Sequence, residues 1–138
     1  MWRNSYTIFG QAIANDPENY VARQWLGDTL SMDGRYREAI FQYEEALREH
    51  PYYFLVEVNC ARVYLQAGSE IDAIRHYSAA IRLRPRMAGP YKELGDILLT
   101  QGNLQEALVN YKQAQALQYP DAQKIDSLVR SVEAALTR

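Results

Sequence analysis

The stretch that decides the fold is GRYREAIFQYEEALREHP, residues 34–51. Its framework returns at intervals of 34 residues, as GSEIDAIRHYSAAIRLRP at 68–85 and as GNLQEALVNYKQAQALQY at 102–119. Each copy opens with glycine and carries alanine, tyrosine and alanine in a fixed order, and the first two copies end with proline. An internal period of this length indicates a protein built from stacked structural repeats.

Each recurring residue has a physical role in a pair of helices. The glycines stand where a chain leaves a helix in a left-handed conformation, which costs a residue with a Cβ roughly 1–2 kcal/mol. The prolines stop the second helix, since proline has no N–H and disfavours helix in the residue before it. The alanines allow close helix approach, and the tyrosines fill the space beside them. The pattern predicts helices near 20–33, 36–49, 54–67, 70–83, 88–101, 104–117 and 121–136.

Two details of the helix ends are also predicted. Asn103, three residues before Glu106, has the form of a capping box, and Ser69 with Asp72 is a weaker version of it. Near the end of the third unit the proline comes one residue late, at position 120. We therefore expect an irregular junction before the last helix.

These residues resemble the tetratricopeptide repeat (TPR) family, in which a 34-residue unit carries Leu-Gly early, Gly at the turn, Ala-x3-Tyr-x2-Ala in the second helix and a closing Pro. The resemblance implies an all-α solenoid, a right-handed superhelix of antiparallel helix pairs with a C-terminal capping helix. It implies one TPR domain over 1–138. The parts of this domain are the second helix of an incomplete repeat at 1–19, full repeats at 20–53, 54–87 and 88–121, and a capping helix at 122–138.

Residues 2–14 align with the second helix of a unit whose first helix does not precede them. That helix would leave an apolar face partly uncovered, formed by Trp2, Tyr6, Phe9 and Ile13. Contiguous exposed apolar surface usually marks a contact. The sequence therefore predicts either self-association as a homodimer through this open helix or a contact with an upstream domain.

Composition and charge exclude several classes of function. The chain has 15 basic and 17 acidic residues, a net charge of −2, so it has no strong field to attract nucleic acid or an anionic membrane. No apolar run approaches the roughly 20 residues that a transmembrane helix needs, so we expect no direct membrane insertion. The single cysteine, Cys60, replaces a leucine of the repeat, which predicts a small core residue rather than a nucleophile.

Convergent chemical groups are lacking in the sequence. His50 and His76 have no partner at metal-ligand spacing, and there is no Gly-rich phosphate loop and no G-x-S-x-G motif. We therefore expect no catalytic residues, no metal and no cofactor, and a protein that is not an enzyme.

Stacked helix pairs form a concave groove lined by the first helix of each unit. By the TPR resemblance, the groove is predicted to bind a peptide or protein segment, either extended or as a short amphipathic helix. Its expected contact residues are Gln24, Asp28, Leu55, Val58, Arg62, Leu65, Lys92, Asp96 and Leu99.

One TPR ligand is excluded by the same resemblance. TPR domains that clamp the C-terminal carboxylate of heat-shock chaperones share Lys, Asn and Arg residues on the groove helices. Asn59 matches that set, but the equivalent first-unit positions hold Gln24 and Asp28, and the third unit presents Gly89 and Glu93.

The sequence thus predicts a non-catalytic interaction scaffold. The alternative is the C-terminal recognition tail of a larger enzyme, because residues 2–30 resemble the junction in membrane glycosyltransferases that carry a TPR tail. O-linked N-acetylglucosamine transferases also carry TPR arrays. A free-standing chain would be cytoplasmic and a membrane-protein tail extracytoplasmic, so the sequence leaves the compartment open.

Overall fold

The structure is a computed structural model that describes the backbone of residues 2–138 and the side chains of residues 5–138. Within that range the chain forms eight α-helices and no strand: α1 (Trp2–Asn15), α2 (Tyr20–Met32), α3 (Tyr36–Glu49), α4 (Phe54–Gln66), α5 (Glu70–Leu83), α6 (Ala88–Thr100), α7 (Leu104–Ala116) and α8 (Ala122–Leu136). The bounds of α2 to α8 agree with the predicted helices to within one residue at each end, which confirms the all-α repeat fold. None of the helices described has both the length and the apolar character needed to cross a membrane.

The repeated glycines close the turns between the paired helices. Gly34, Gly68 and Gly102 have φ of +75°, +89° and +79°, the left-handed region expected for them. In the first turn the N–H of Arg35 donates to the carbonyl of Leu30 at 2.9 Å, and equivalent bonds close the other two turns. This backbone pattern ends a helix without any side-chain partner.

The capping prediction was wrong at Asn103. Its side chain makes no capping hydrogen bond, and its backbone N–H closes the glycine turn by donating to the carbonyl of Leu98 at 2.9 Å. Ser69 does contact Asp72, with Oγ donating to Oδ2 at 2.6 Å. A side-chain cap that the repeat pattern did not indicate occurs at Asn19, which accepts from the first turn of α2.

The chain divides into two compact units. Unit 1 runs to His76 and unit 2 begins at Tyr77, inside α5. A buried core cluster in unit 1 consists of Leu30, Ala39, Tyr43, Ala46, Val56, Cys60 and Val63. A core cluster in unit 2 consists of Ala88, Leu98, Ala107, Tyr111, Ala114, Ile125, Val129 and Val132. The repeated alanines and tyrosines are thus in the core, as their spacing predicts.

The junction between α7 and α8 departs from the repeat, as expected. Gln118 takes the position that glycine holds elsewhere, with φ of +59°, and the N–H of Tyr119 donates to the carbonyl of Ala114 at 3.0 Å. Asp121 then caps α8 by accepting from the N–H of Lys124 at 2.9 Å. The same backbone turn is therefore built without glycine.

Candidate peptide-binding surface

One tyrosine of the repeat positions a predicted contact residue of unit 1. Tyr43 lies so close to Gly27 that a Cβ added there would come within 2.6 Å of the ring. The Tyr43 hydroxyl donates to Asp28 Oδ1 at 2.6 Å. Burial, followed by the hydrogen bond to Asp28, raises the pKa of Tyr43 well above its ordinary value. The hydrogen bond from the buried Tyr43 therefore fixes the orientation of the Asp28 carboxylate.

Unit 2 repeats this arrangement 68 residues later. A Cβ at Gly95 would lie 2.7 Å from the ring of Tyr111, and the Tyr111 hydroxyl donates to Asp96 Oδ1 at 2.8 Å. Burial and the bond to Asp96 raise the pKa of Tyr111 as well. Asp28 and Asp96 are thus structural residues in addition to predicted contact residues.

A cleft of about 240 Å³ lies between α2 and α4 in unit 1. Asp28 and Arg62 both line it, so the structure brings these two predicted residues together. Asn59 Nδ2 also donates to Asp28 Oδ1, at 3.1 Å. The remaining lining residues are Ser31, Met32, Tyr43, Val63 and Gln66.

The other predicted residues of unit 1 differ in exposure. Leu55 and Leu65 are 47% and 37% exposed. Val58, by contrast, is buried. Gln24 is also buried, and its Oε1 accepts a hydrogen bond from the hydroxyl of Tyr53. Two leucines of α4 therefore present apolar surface, whereas Val58 and Gln24 face the interior.

In unit 2 the predicted polar residues pair with each other. Lys92 is 8% exposed, and its Nζ lies 2.6 Å from Asp96 Oδ2. Burial is the largest single influence and disfavours the charged amine, but the hydrogen bond to Asp96 and the charges of Asp96 and its neighbours together raise the pKa of Lys92. Leu99 is half-buried against the unit 2 core. Lys92 and Asp96 are accordingly engaged within their own unit.

Two family models, each described as a tetratricopeptide repeat, match residues 8–41 and residues 61–123. The chain belongs to the TPR family. Comparison with curated proteins gave no match.

The TPR fold is shared with several solved structures. Two are crystal structures of MamA: one is 22% identical with a TM-score of 0.79 over 83% of this chain and 67% of that chain. The other is 16% identical with a TM-score of 0.83 over 99% of this chain and 79% of that chain. A third is the first TPR of Spaghetti (RPAP3) bound to the HSP90 peptide SRMEEVD. It is 22% identical, with a TM-score of 0.78 over 89% of this chain and 97% of that chain. At these identities the likeness shows the common fold.

The predicted open face of the TPR chain lies on α1. The Phe9 ring meets the ring of Trp25 edge-on, with centroids 5.5 Å apart, and Ile13 is half-buried. Tyr6 is half-buried as well, and its hydroxyl donates to Asp33 Oδ2 at 2.8 Å. The side chain of Trp2 lies outside the described residues. Tyr6 therefore packs on the turn after α2, whereas Phe9 faces Trp25.

A buried polar cluster in unit 1 was not indicated by the repeat pattern. His76 Nδ1 lies 2.6 Å from Glu57 Oε2, and His76 Nε2 lies 3.7 Å from Cys60 Sγ. The contacts run from thiol to imidazole to carboxylate, as in a nucleophilic triad, but Cys60 has no exposed surface. Burial also raises the pKa of the Cys60 thiol far above its ordinary value, which keeps it protonated. Cys60 is a core residue, as predicted.

The cluster escaped sequence reasoning because its members come from two antiparallel helices and have no fixed spacing. Among the side chains of residues 5–138, no group of three or more His, Cys, Asp or Glu could hold a metal ion.

A larger cavity of about 530 Å³ opens between α1, α2 and α3. Its lining includes Leu26, Leu30 and the exposed ring of Phe41. Arg35 at its edge lies over the Tyr6 ring, 5.1 Å from the centroid, and its Nε donates to Glu38 at 2.8 Å. None of the predicted groove residues lines this cavity.

Proposed function

We propose that this TPR chain is a non-catalytic interaction module that binds a peptide or protein segment against α2 and α4 of unit 1. The cleft shared by Asp28 and Arg62 carries the proposal, because it lies beside exposed apolar residues of the same helix. TPR repeats generally serve as protein-interaction scaffolds, and one similar structure holds a peptide. Lys92, Asp96 and Leu99 of unit 2 remain predicted contact residues.

The spacing of α4 defines the ligand chemistry. Leu55, Arg62 and Leu65 are seven and three residues apart, which places them on one face of the helix. A matching segment supplies two apolar side chains for the leucines and an acidic side chain for the guanidinium. Either an extended strand or a short amphipathic helix meets this requirement.

The HSP90 peptide bound by the similar Spaghetti structure is not the ligand that we propose. Positions that hold cations in carboxylate-clamping TPR domains hold Gln24 and Asp28 here. Gln24 is buried against Tyr53, and Asp28 brings a negative charge to the cleft. A chain-terminal carboxylate would therefore find no cation at either of these two positions.

A random peptide library displayed on phage provides the test. The immobilised protein is used to select peptides, and the affinity of each selected peptide is measured by fluorescence anisotropy. We expect selected sequences to combine apolar and acidic residues. Arg62→Glu should weaken their binding by about tenfold or more, the loss expected for a charge-assisted contact.

Lys124→Glu is the matched control. Lys124 is exposed at the start of α8 and undergoes the same change of charge. Its substitution should leave affinity unchanged. Failure to select any peptide, or equal weakening by the two substitutions, would count against binding at the cleft. Circular dichroism of Arg62→Glu checks that the domain remains folded.

A further inference from the structure

The longest stretch of the chain without an acidic residue surrounds the turn between α5 and α6. This acid-free stretch, residues 73–92, holds five of the 15 basic residues and none of the 17 acidic ones. Ten basic residues therefore stand against 17 acidic residues in the rest of the chain. Three of the five are exposed arginines of unit 2: Arg82, Arg84 and Arg86. Positive charge is thus concentrated at one turn.

Hydrogen bonds fix the backbone of this turn. We define the basic turn as Arg84, Pro85 and Arg86. The N–H of Met87 donates to the carbonyl of Arg84 at 3.2 Å, and Pro85 takes the second position, which suits its fixed φ. The hydroxyl of Tyr91 on α6 donates to the carbonyl of Pro85 at 2.9 Å. A ligand that contacts the two arginines therefore meets a backbone that is already ordered, which lowers the cost of binding.

The same turn occurs 68 residues earlier with the opposite charge. The N–H of Asn19 donates to the carbonyl of Asp16 at 3.0 Å, and the carbonyl of Pro17 accepts from Arg23 at 3.0 Å. Asp16 and Glu18 take the places that arginines take in the basic turn. The backbone contacts are therefore kept while the charge is reversed.

A third copy of the turn, at His50, Pro51 and Tyr52, closes in the same way. The N–H of Tyr53 donates to the carbonyl of His50 at 3.3 Å. Acidic, aromatic and basic side chains thus occupy the same two positions of one turn, so the turn itself does not require arginine there. Arg82 differs, because it lies in the last turn of α5, where the helix dipole favours a cation.

The other basic residues of the acid-free stretch are engaged with carboxylates. Arg75 lies 3.1 Å from Asp72, and Lys92 lies 2.6 Å from Asp96. Among the described side chains of residues 5–138, no carboxylate forms an ion pair with Arg86. The basic turn thus presents an exposed guanidinium whose charge no carboxylate of these residues pairs with.

We propose that the basic turn binds an acidic segment of a partner protein. Guanidinium groups form paired, charge-assisted hydrogen bonds with carboxylates. The two arginines stand two residues apart, so the matching segment carries at least two carboxylates close together. Met87, directly after the turn and 45% exposed, adds an apolar contact. This is a second contact surface, because the proposed cleft belongs to unit 1.

The charge of the remaining chain favours a short acidic segment over a nucleic acid or an anionic membrane. Such polyanions gain affinity from many simultaneous contacts between cations and phosphates. Three exposed arginines offer few of these contacts, and acidic residues outnumber basic ones outside the acid-free stretch. An extended polyanion would therefore meet repulsion beyond the turn, whereas a short segment contacts the turn alone.

Fluorescence anisotropy of a labelled peptide provides the test. The probe is Glu-Glu-Leu-Glu-Glu, and the matched control peptide is Gln-Gln-Leu-Gln-Gln. We expect the full chain to bind only the acidic peptide, with an affinity that falls as salt is added. The double variant with Arg84→Gln and Arg86→Gln should weaken this binding by about tenfold or more, the loss expected for charge-assisted contacts.

The matched protein control removes two charges from α8 in the same unit. Lys124 and Arg130 are exposed, and changing both to Gln should leave the affinity for the acidic peptide unchanged. Circular dichroism checks that both double variants remain folded. Absence of binding at millimolar peptide, equal binding of the two peptides, or equal weakening by the two double variants would overturn the proposal. Weakening by Arg62→Glu instead would assign the peptide to the cleft, with the same consequence.

Two further measurements identify a different occupant of the basic turn. Tighter binding of single-stranded oligouridylate or of phosphatidylserine vesicles than of the peptide, lost in the Arg84→Gln and Arg86→Gln variant, would assign the turn to a polyanion and overturn the proposal. A dimer in light scattering that the same variant dissociates would assign the turn to a second copy of the chain, which also overturns it. A monomer that binds the acidic peptide most tightly would support the proposal.

Discussion

Units 1 and 2 contain the same contact between a glycine, a tyrosine and an aspartate. In unit 1 Gly27 admits the ring of Tyr43, whose hydroxyl holds Asp28 at 2.6 Å. The counterparts 68 residues later have the same geometry. This contact therefore recurs in two of the three full repeats, whereas the repeat between them has Ala61 and Arg62 at the corresponding positions.

The two units differ in the second side chain that contacts each aspartate, in addition to the tyrosine. Asp28 accepts a hydrogen bond from Asn59 on α4, and Arg62 lines the same cleft. Asp96 instead pairs with Lys92, one turn earlier on its own helix. Unit 1 thus places its carboxylate at an open cleft, while unit 2 uses its carboxylate to neutralise a buried amine.

The largest expected effect tests whether the two glycine contacts are equivalent. Gly27→Val and Gly95→Val each force a side chain against a buried ring and should lower the free energy of unfolding by about 3 kcal/mol. Denaturant unfolding followed by circular dichroism measures the loss. Gly10→Val is the control, because a Cβ at Gly10 meets nothing within 4 Å and valine favours helix slightly more than glycine. A loss at only one of the two buried glycines would show that the contacts are not equivalent.

Alkaline pH provides a second, smaller test of the same comparison. The pKa of Tyr43 and that of Tyr111 are raised in the folded chain, so the folded state keeps protons that the unfolded state releases. Stability is complete below the ordinary tyrosine pKa of about 10 and falls above it, by about 1.4 kcal/mol per pH unit for each tyrosine. Tyr43→Phe and Tyr111→Phe should each remove one such contribution from the slope of unfolding free energy against pH.

The control for the pH experiment is Tyr52→Phe, since Tyr52 is 76% exposed. The slopes of Tyr43→Phe and Tyr111→Phe are compared with the slope of this variant, which loses a hydroxyl outside the core. A slope that Tyr43→Phe reduces and Tyr111→Phe does not would mean that only Tyr43 has a raised pKa in the folded chain, so that the two contacts differ.

The smallest expected effect concerns the turns. Gln118, which follows α7 in unit 2, has a left-handed backbone conformation. Gly34, which closes the turn between α2 and α3 in unit 1, has the same conformation. Gln118→Gly should therefore raise the free energy of unfolding by about 0.5–1 kcal/mol, and Gly34→Ala should lower it by about 1 kcal/mol. Thermal unfolding by calorimetry detects both changes. Destabilisation by Gln118→Gly would show that the glutamine side chain contributes more than its backbone conformation costs.

Local features of the sequence predicted the helices well. The glycines at 34, 68 and 102 have the expected left-handed conformation, and the helices that they separate begin and end within one residue of prediction. These features depend on conformational preferences of single residues, which the 34-residue period repeats. The capping prediction at Asn103 was wrong because the backbone of the preceding turn competes for the same position.

The candidate site was only partly accessible from the sequence. The repeat predicts that one position on each first helix faces the groove, four residues before the position of Asp28 and Arg62. The three residues at that position are nevertheless buried: Gln24, Val58 and Lys92. Their burial depends on long-range partners, such as Tyr53 for Gln24. Helical spacing does not encode such contacts between helices.

The sequence by itself determined the repeat, its turns and the alanine and tyrosine core, because these follow from backbone preferences and side-chain volume at a fixed period. Only the tertiary structure decided which polar residues remain at a surface and which pair internally, as Gln24 does with Tyr53. It also brought Cys60, His76 and Glu57 together in one buried cluster. The physical reason is that pairing between helices depends on their close approach in three dimensions, which the period leaves unspecified.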